Sequence, residues 1–175
     1  MEFIKKNIFM LIGFFMLLSL VGNVACQSSM FSYRGATVEP DDRILLDERH
    51  GQGLWQTFDL AIEYQYEKKA DVLELSGVGE LSHHYRSLYE ILNRLHITAY
   101  FLDNEGKVLE GKLVFNSNSL KIDDAFSFKH ALEIPPDTVS FTFSYFGGVR
   151  EGGGREPGGG GDGGSDSFYK FPRRS

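Results

Sequence analysis

In Val139-Ser140-Phe141-Thr142-Phe143-Ser144-Tyr145 every second side chain is apolar, and each residue between them carries a hydroxyl. A period of two gives an extended chain one apolar face, whereas on a helix it would scatter the same residues around the axis. The segment therefore reads as a β-strand with one face in a core. Phe58, Leu60, Ile62, Tyr64 and Tyr66 alternate in the same way with Asp59, Ala61, Glu63 and Gln65. Isolated strands and single hairpins are marginal in water, so two such segments commit the chain to a larger sheet.

The intervening sequence supplies the partners. Arg43 to Leu46 reads as a short first strand, and Lys68 to Asp71 as a turn leading into Val72–Leu81. In that strand Gly77 and Gly79 mark a bulge or a close backbone approach. Tyr85, Leu88, Leu92 and Leu95 sit at helical spacing, although Tyr89, Ile91 and Leu95 also fit alternation; one short helix is expected there. Leu95, Ile97, Ala99 and Phe101 then face one way, and Asp103-Asn104-Glu105-Gly106 turns the chain into a return strand, Val108 to Phe115. Phe126 and Phe128 follow, with a turn at Pro135-Pro136-Asp137 before Val139. The 15 Phe and 8 Tyr against one Trp suit half-buried sheet faces. About seven short strands at this spacing predict an all-β fold, an antiparallel immunoglobulin-like β-sandwich with one short helix. Its expected span is residues 43–146, after a polar linker over residues 26–42.

The N-terminus carries a different signal. Lys5 and Lys6 precede an apolar run from Ile8 to Val21, and small or polar residues follow it. That order is a secretory signal, expected over residues 1–25, and the run is short of the roughly 20 residues that cross a bilayer. It ends in Gly22-Asn23-Val24-Ala25-Cys26-Gln27-Ser28-Ser29, which resembles the lipobox of bacterial lipoproteins: Ala25 is small, and Cys26 stands where that family's lipid is attached. Asn23 departs from the apolar residue preferred there. The resemblance implies a lipid anchor on Cys26, a place in the cell envelope, and the outer membrane if the cell has two membranes, since Gln27 rather than Asp follows the cysteine. The alternative is ordinary signal cleavage at or just beyond Cys26, giving a freely secreted periplasmic or extracellular β-sandwich that binds a solute or glycan.

Leu95 to Leu109, with Tyr100-Phe101-Leu102-Asp103 before Gly106-Lys107-Val108-Leu109, is similar to the strand-turn-strand of immunoglobulin-like envelope domains named for an FxLYD motif. Ala99 stands where that motif has Phe. The resemblance implies an accessory or binding module; the partner expected for a tethered sandwich is an envelope protein or a glycan.

Residues 147–175 read as a flexible glycine-rich tail. No Gly-Lys-Ser/Thr ends the glycine run, and Pro157 interrupts a calcium-binding nonapeptide pattern. Phe168-Tyr169-Lys170-Phe171-Pro172-Arg173-Arg174 reads as a short docking element, for the domain itself, for a partner's sheet edge or for anionic headgroups through Arg173 and Arg174.

No motif assigns catalytic residues, metal ligands or a cofactor. His83 and His84 on a strand would point to opposite faces, and His50, His96 and His130 are scattered. Asp41-Asp42 and Asp123-Asp124 look like loop residues, no Gly-x-Ser-x-Gly occurs, and Gly77-Val78-Gly79 lacks a third glycine and a following helix. One cysteine leaves no disulfide framework or Cys-rich zinc site. A net charge of −6 argues against nucleic acid. The expectation is a non-enzyme.

Overall fold

A computed structural model of the chain describes residues 33–152 and 164–174. The stretch 33–175 forms a compact unit of its own. It is all-β, with ten strands and a six-residue helix, α1 (His83–Leu88), among the described residues.

The strands make two antiparallel sheets. In the first, β1 (Ile44–Leu45), β9 (Ser140–Arg150), β5 (Ile91–Leu102) and β6 (Val108–Ser117) follow one another. Two further strands, β10 (Ser165–Lys170) on β9 and β7 (Leu120–Lys121) on β5, complete that sheet. The second has the order β2 (His50–Gln56), β3 (Leu60–Lys69), β4 (Val72–Leu81) and β8 (Phe126–Glu133). The chain crosses between sheets after β4, returns beside β4 as β8, and crosses again to lie beside β5 as β9. These crossings give the all-β antiparallel sandwich expected from the alternation.

The inward faces interlock through aromatic rings. Trp55 and Phe128 of the second sheet meet Phe143 of the first at 5.6 and 5.9 Å, and Tyr64 and Tyr66 meet Phe141 at 6.0 and 5.8 Å, all four edge-on. Phe141 and Phe143 are essentially inaccessible to solvent. Each buried ring contributes roughly 1.5–3 kcal/mol by area, and such ring pairs add about 0.5–1.5 kcal/mol.

Glycines in these strands make room for rings on the neighbouring strand. Gly51 and Gly53 of β2 pair with Tyr66 and Tyr64, Gly77 and Gly79 of β4 with Phe128 and Phe126, and Gly147 of β9 with Phe168. A methyl group on any of these glycines would come within 2.2 to 2.7 Å of the facing ring. None of them has positive φ, so space, and not backbone torsion, is what these positions need. Gly106 is different: its φ of 81° closes the β5–β6 hairpin, where Asp103 Oδ1 accepts from the Glu105 and Lys107 amides.

Several sequence expectations change here. β2 was not foreseen. Phe58 was expected to begin a buried strand face but is 75 % exposed on the turn before β3. The short helix lies at His83–Leu88, because Leu92 and Leu95 belong to the inward face of β5. His83 and His84 therefore occupy a helical turn and not a strand. At the C-terminal side, residue 146 falls inside β9, which continues through Gly147 and Gly148 to Arg150, and residues 165–170 form β10 where a flexible tail was expected. On the N-terminal side Ala36 and Val38 are buried within the stretch read as linker. Cys26, the signal segment and residues 153–163 lie outside the described residues.

Candidate functional site

The two ends of the domain meet on the first sheet. β1 and β10 lie on the same edge of β9, with Ile44 opposite Phe141 and Lys170 opposite Tyr145. Beyond them the ends are hydrogen-bonded to each other: the Thr37 amide donates to the Arg173 carbonyl at 2.8 Å, and the Arg173 amide returns to Thr37 at 2.9 Å. Lys170 pairs with Asp42 and Arg173 with Glu39, both at 2.8 Å. Under this clasp lies a small second core of Ala36, Val38, Tyr100, Leu102 and Val108, with Tyr33 packed against it. Both chain ends thus share one surface, although along the sequence they have the character of a linker and a tail.

Rings line that surface. Tyr169 stacks on Phe171 at 5.5 Å, Phe171 on Tyr33 at 5.2 Å, and the Arg174 guanidinium lies 4.9 Å over Tyr33. Alternation along β10 explains the division of labour. Phe168 points inward and is buried against Tyr85 and Tyr145, at 4.7 and 5.9 Å, while Tyr169 points out. The expected docking element therefore docks on its own domain, through one buried ring, and leaves the next residues displayed.

Beside Phe168 a polar network braces the β2–β3 turn. Tyr145 donates its hydroxyl to Asp59 Oδ2 at 2.5 Å and lies 3.0 Å from Thr57 Oγ1, which in turn accepts from the Asp59 and Leu60 amides. Burial first, and then the Asp59 carboxylate, push the Tyr145 phenol well above its ordinary value; Tyr85 is pushed up to about 12, mainly by burial and then by Asp59. These tyrosines are protonated in the fold where an unfolded phenol, near 10, would already ionise. A raised folded value stabilises fully below the unfolded one and is lost as pH rises through the folded one. Stability should therefore hold up to about pH 10 and fall above it. Thermal melts of the wild type and of Tyr145→Phe from pH 7 to 11.5 check this. The variant should start lower, by about 1–2 kcal/mol for the lost hydrogen bond, and fall less steeply; parallel curves would refute the assignment.

The remaining candidates do not converge. His50 lies 3.4 Å from Glu67 on the outer face of the second sheet, His84 rests against Phe58, and His130 meets the Val114 carbonyl at 2.7 Å. His96 pairs with Asn116 and Phe146 in the first sheet. Asp41 and Asp42 belong to a 3₁₀ turn, and Asp123 and Asp124 to the loop before β8. Gly77-Val78-Gly79 is strand interior. Among the described residues no group of three His, Cys, Asp or Glu could hold a metal ion, and no helix is long and apolar enough to cross a membrane. A shallow depression over the outer face of the second sheet has both polar lining, from His50, Gln52, Gln65, Glu67, Glu74 and Lys129, and apolar lining, from Tyr66 and Leu75. There Lys69 bridges Glu67 and Glu74 at 3.1 and 2.9 Å, and its hydrogen bond holds the Glu67 carboxyl below its ordinary value.

Compared with family models, curated proteins and solved structures, the chain matches none.

Proposed function

We propose that the chain is an exported cell-envelope lipoprotein, held at a membrane by a lipid on Cys26, whose sandwich is a non-catalytic binding or assembly module. The observation that carries this reading is the order of the first 29 residues: Lys5 and Lys6, the apolar run, then Ala25-Cys26-Gln27 around the chain's one cysteine. A thioether-linked diacylglycerol would suit this position, because two or more acyl chains hold a domain durably where one chain alone does not.

A tether on Cys26 would also limit where the domain sits. Tyr33, whose ring packs on the second core, is only seven residues beyond Cys26, so the intervening chain reaches at most about 25 Å. An anchor there would keep the domain close to the bilayer. Asn23 favours one competitor, cleavage by ordinary signal peptidase and free release of the same domain.

Growth with a labelled fatty acid separates the two. The wild-type chain should carry the label and Cys26→Ser should not. Label on neither protein, or equally on both, would sink the anchor.

A further inference from the structure

We propose that Tyr33, Tyr169 and Phe171, together with Arg173 and Arg174, form a second membrane contact that seats the domain on an anionic lipid interface beside the anchor; this rests on the tethered reading and extends it. Tyr169 is 64 % exposed, Phe171 37 %, and the Arg173 side chain 80 %. Amphipathic rings rimmed by cations suit the headgroup layer, where aromatic residues concentrate and where arginine meets lipid phosphate. The position of the stack selects this occupant, because Tyr33 is both a member of it and the residue from which the chain leads back to Cys26.

Ring geometry argues against a glycan. Sugar recognition uses open ring faces, but Phe171 stacks on both Tyr169 and Tyr33, with interplanar angles of 21° and 12°, and Arg174 lies over Tyr33. The exposed Tyr169 ring, apolar in its body and polar at its hydroxyl, fits an interface where one end is wet and the other apolar. Acidic neighbours lie beside the patch: Glu39 pairs with Arg173 and Asp42 with Lys170, both at 2.8 Å, but the Arg173–Glu39 pair is largely exposed and weak, so a lipid phosphate can compete with Glu39 for the guanidinium. The net charge of −6 repels an anionic surface, so any attraction has to come from this local group.

The test uses the unlipidated chain from Gln27 to Ser175, which contains the whole self-contained unit, and measures its co-sedimentation with vesicles. Binding is expected to phosphatidylcholine vesicles containing about one-third phosphatidylglycerol, at least about fivefold tighter than to phosphatidylcholine alone. Tyr169→Ser/Phe171→Ser and Arg173→Glu/Arg174→Glu should each weaken it by about fivefold or more, with melting temperatures close to wild type. Equal binding by either variant, or no binding by the wild-type unit, overturns the proposal. So does retention on insoluble cell-wall polysaccharide through the same residues, which would assign a glycan. Because the tested chain carries no lipid, failure here leaves fatty-acid labelling of Cys26 as a separate result.

Discussion

Phe168→Ala should be the most damaging single change near the C-terminus, lowering stability by about 3–4 kcal/mol and the melting temperature by roughly 10–15 °C. The Phe168 ring is 3 % exposed, fills the space left by Gly147, and packs on Tyr85 and Tyr145. It is the one buried side chain that β10 contributes, since Ser165, Asp166, Ser167 and Tyr169 are exposed. Without it, the strand is held by six backbone pairings, the Ser144 hydroxyl on the Lys170 carbonyl, two exposed or half-exposed ion pairs, the Lys170 ammonium over Trp55 and, just beyond its end, the Thr37–Arg173 hydrogen bonds and the Phe171–Tyr33 stack. The loss has a ceiling, because a domain with β10 undocked becomes the new ground state once docking is no longer favourable. Hydrogen exchange resolves this: amides of β10 should lose nearly all protection, while those of β5, in the centre of the sheet, lose at most the global figure. Continued protection of β10, with a melt within about 2 °C of wild type, would show that the ring is not what holds it. The same variant should weaken vesicle binding, since Tyr169 and Phe171 keep their places only while β10 is docked.

Gly79→Val should prevent folding or cost more than about 3 kcal/mol, although glycine is usually the weaker strand residue. A Cβ at Gly79 would lie 2.3 Å from the Phe126 ring and 2.8 Å from the Ala61 carbonyl oxygen. The ring can swing aside at some cost in packing. The carbonyl cannot, because β3 and β4 are paired along their whole length from Leu60–Leu81 to Lys69–Val72. Relief requires β4 to move away from β3. Gly79→Ala should cost less, and adding Phe126→Leu should recover part of that cost by removing the ring clash alone. Val78→Thr is the control, since Val78 is 52 % exposed on the opposite face, and it should change stability by less than about 0.5 kcal/mol. Chemical denaturation of the series measures all four. A folded Gly79→Val protein of wild-type stability would contradict the packing described for β3, β4 and β8.

These glycines also explain which parts of the fold could be read from the chain. β4 was legible to its ends, Val72–Leu81, because alternating Leu73 and Leu75 lie between a turn and a polar break. The β5–β6 hairpin was legible because Asp103-Asn104-Glu105-Gly106 carries its own turn chemistry. β2 was not: in His50-Gly51-Gln52-Gly53-Leu54-Trp55-Gln56 only Trp55 is buried, and the strand is completed by rings from Tyr66 and Tyr64 on a different segment. β10 was hidden for the same reason, since one buried Phe in six residues has no period. At the candidate surface, the aromatic and basic residues were visible as a cluster in the tail. Their stacking on Tyr33 was not, because it depends on both chain ends pairing with one edge of β9 and then with each other.

The tether on Cys26 is the claim from which the envelope reading and the membrane contact both proceed. Mass spectrometry of the N-terminal peptide, from protein purified out of the envelope in detergent, tests it most directly. The expected result is a mature chain that begins at Cys26 and carries a diacylglyceryl thioether on its sulfur. An unmodified N-terminus beyond Cys26, or a chain that still retains residues 1–25, would contradict it.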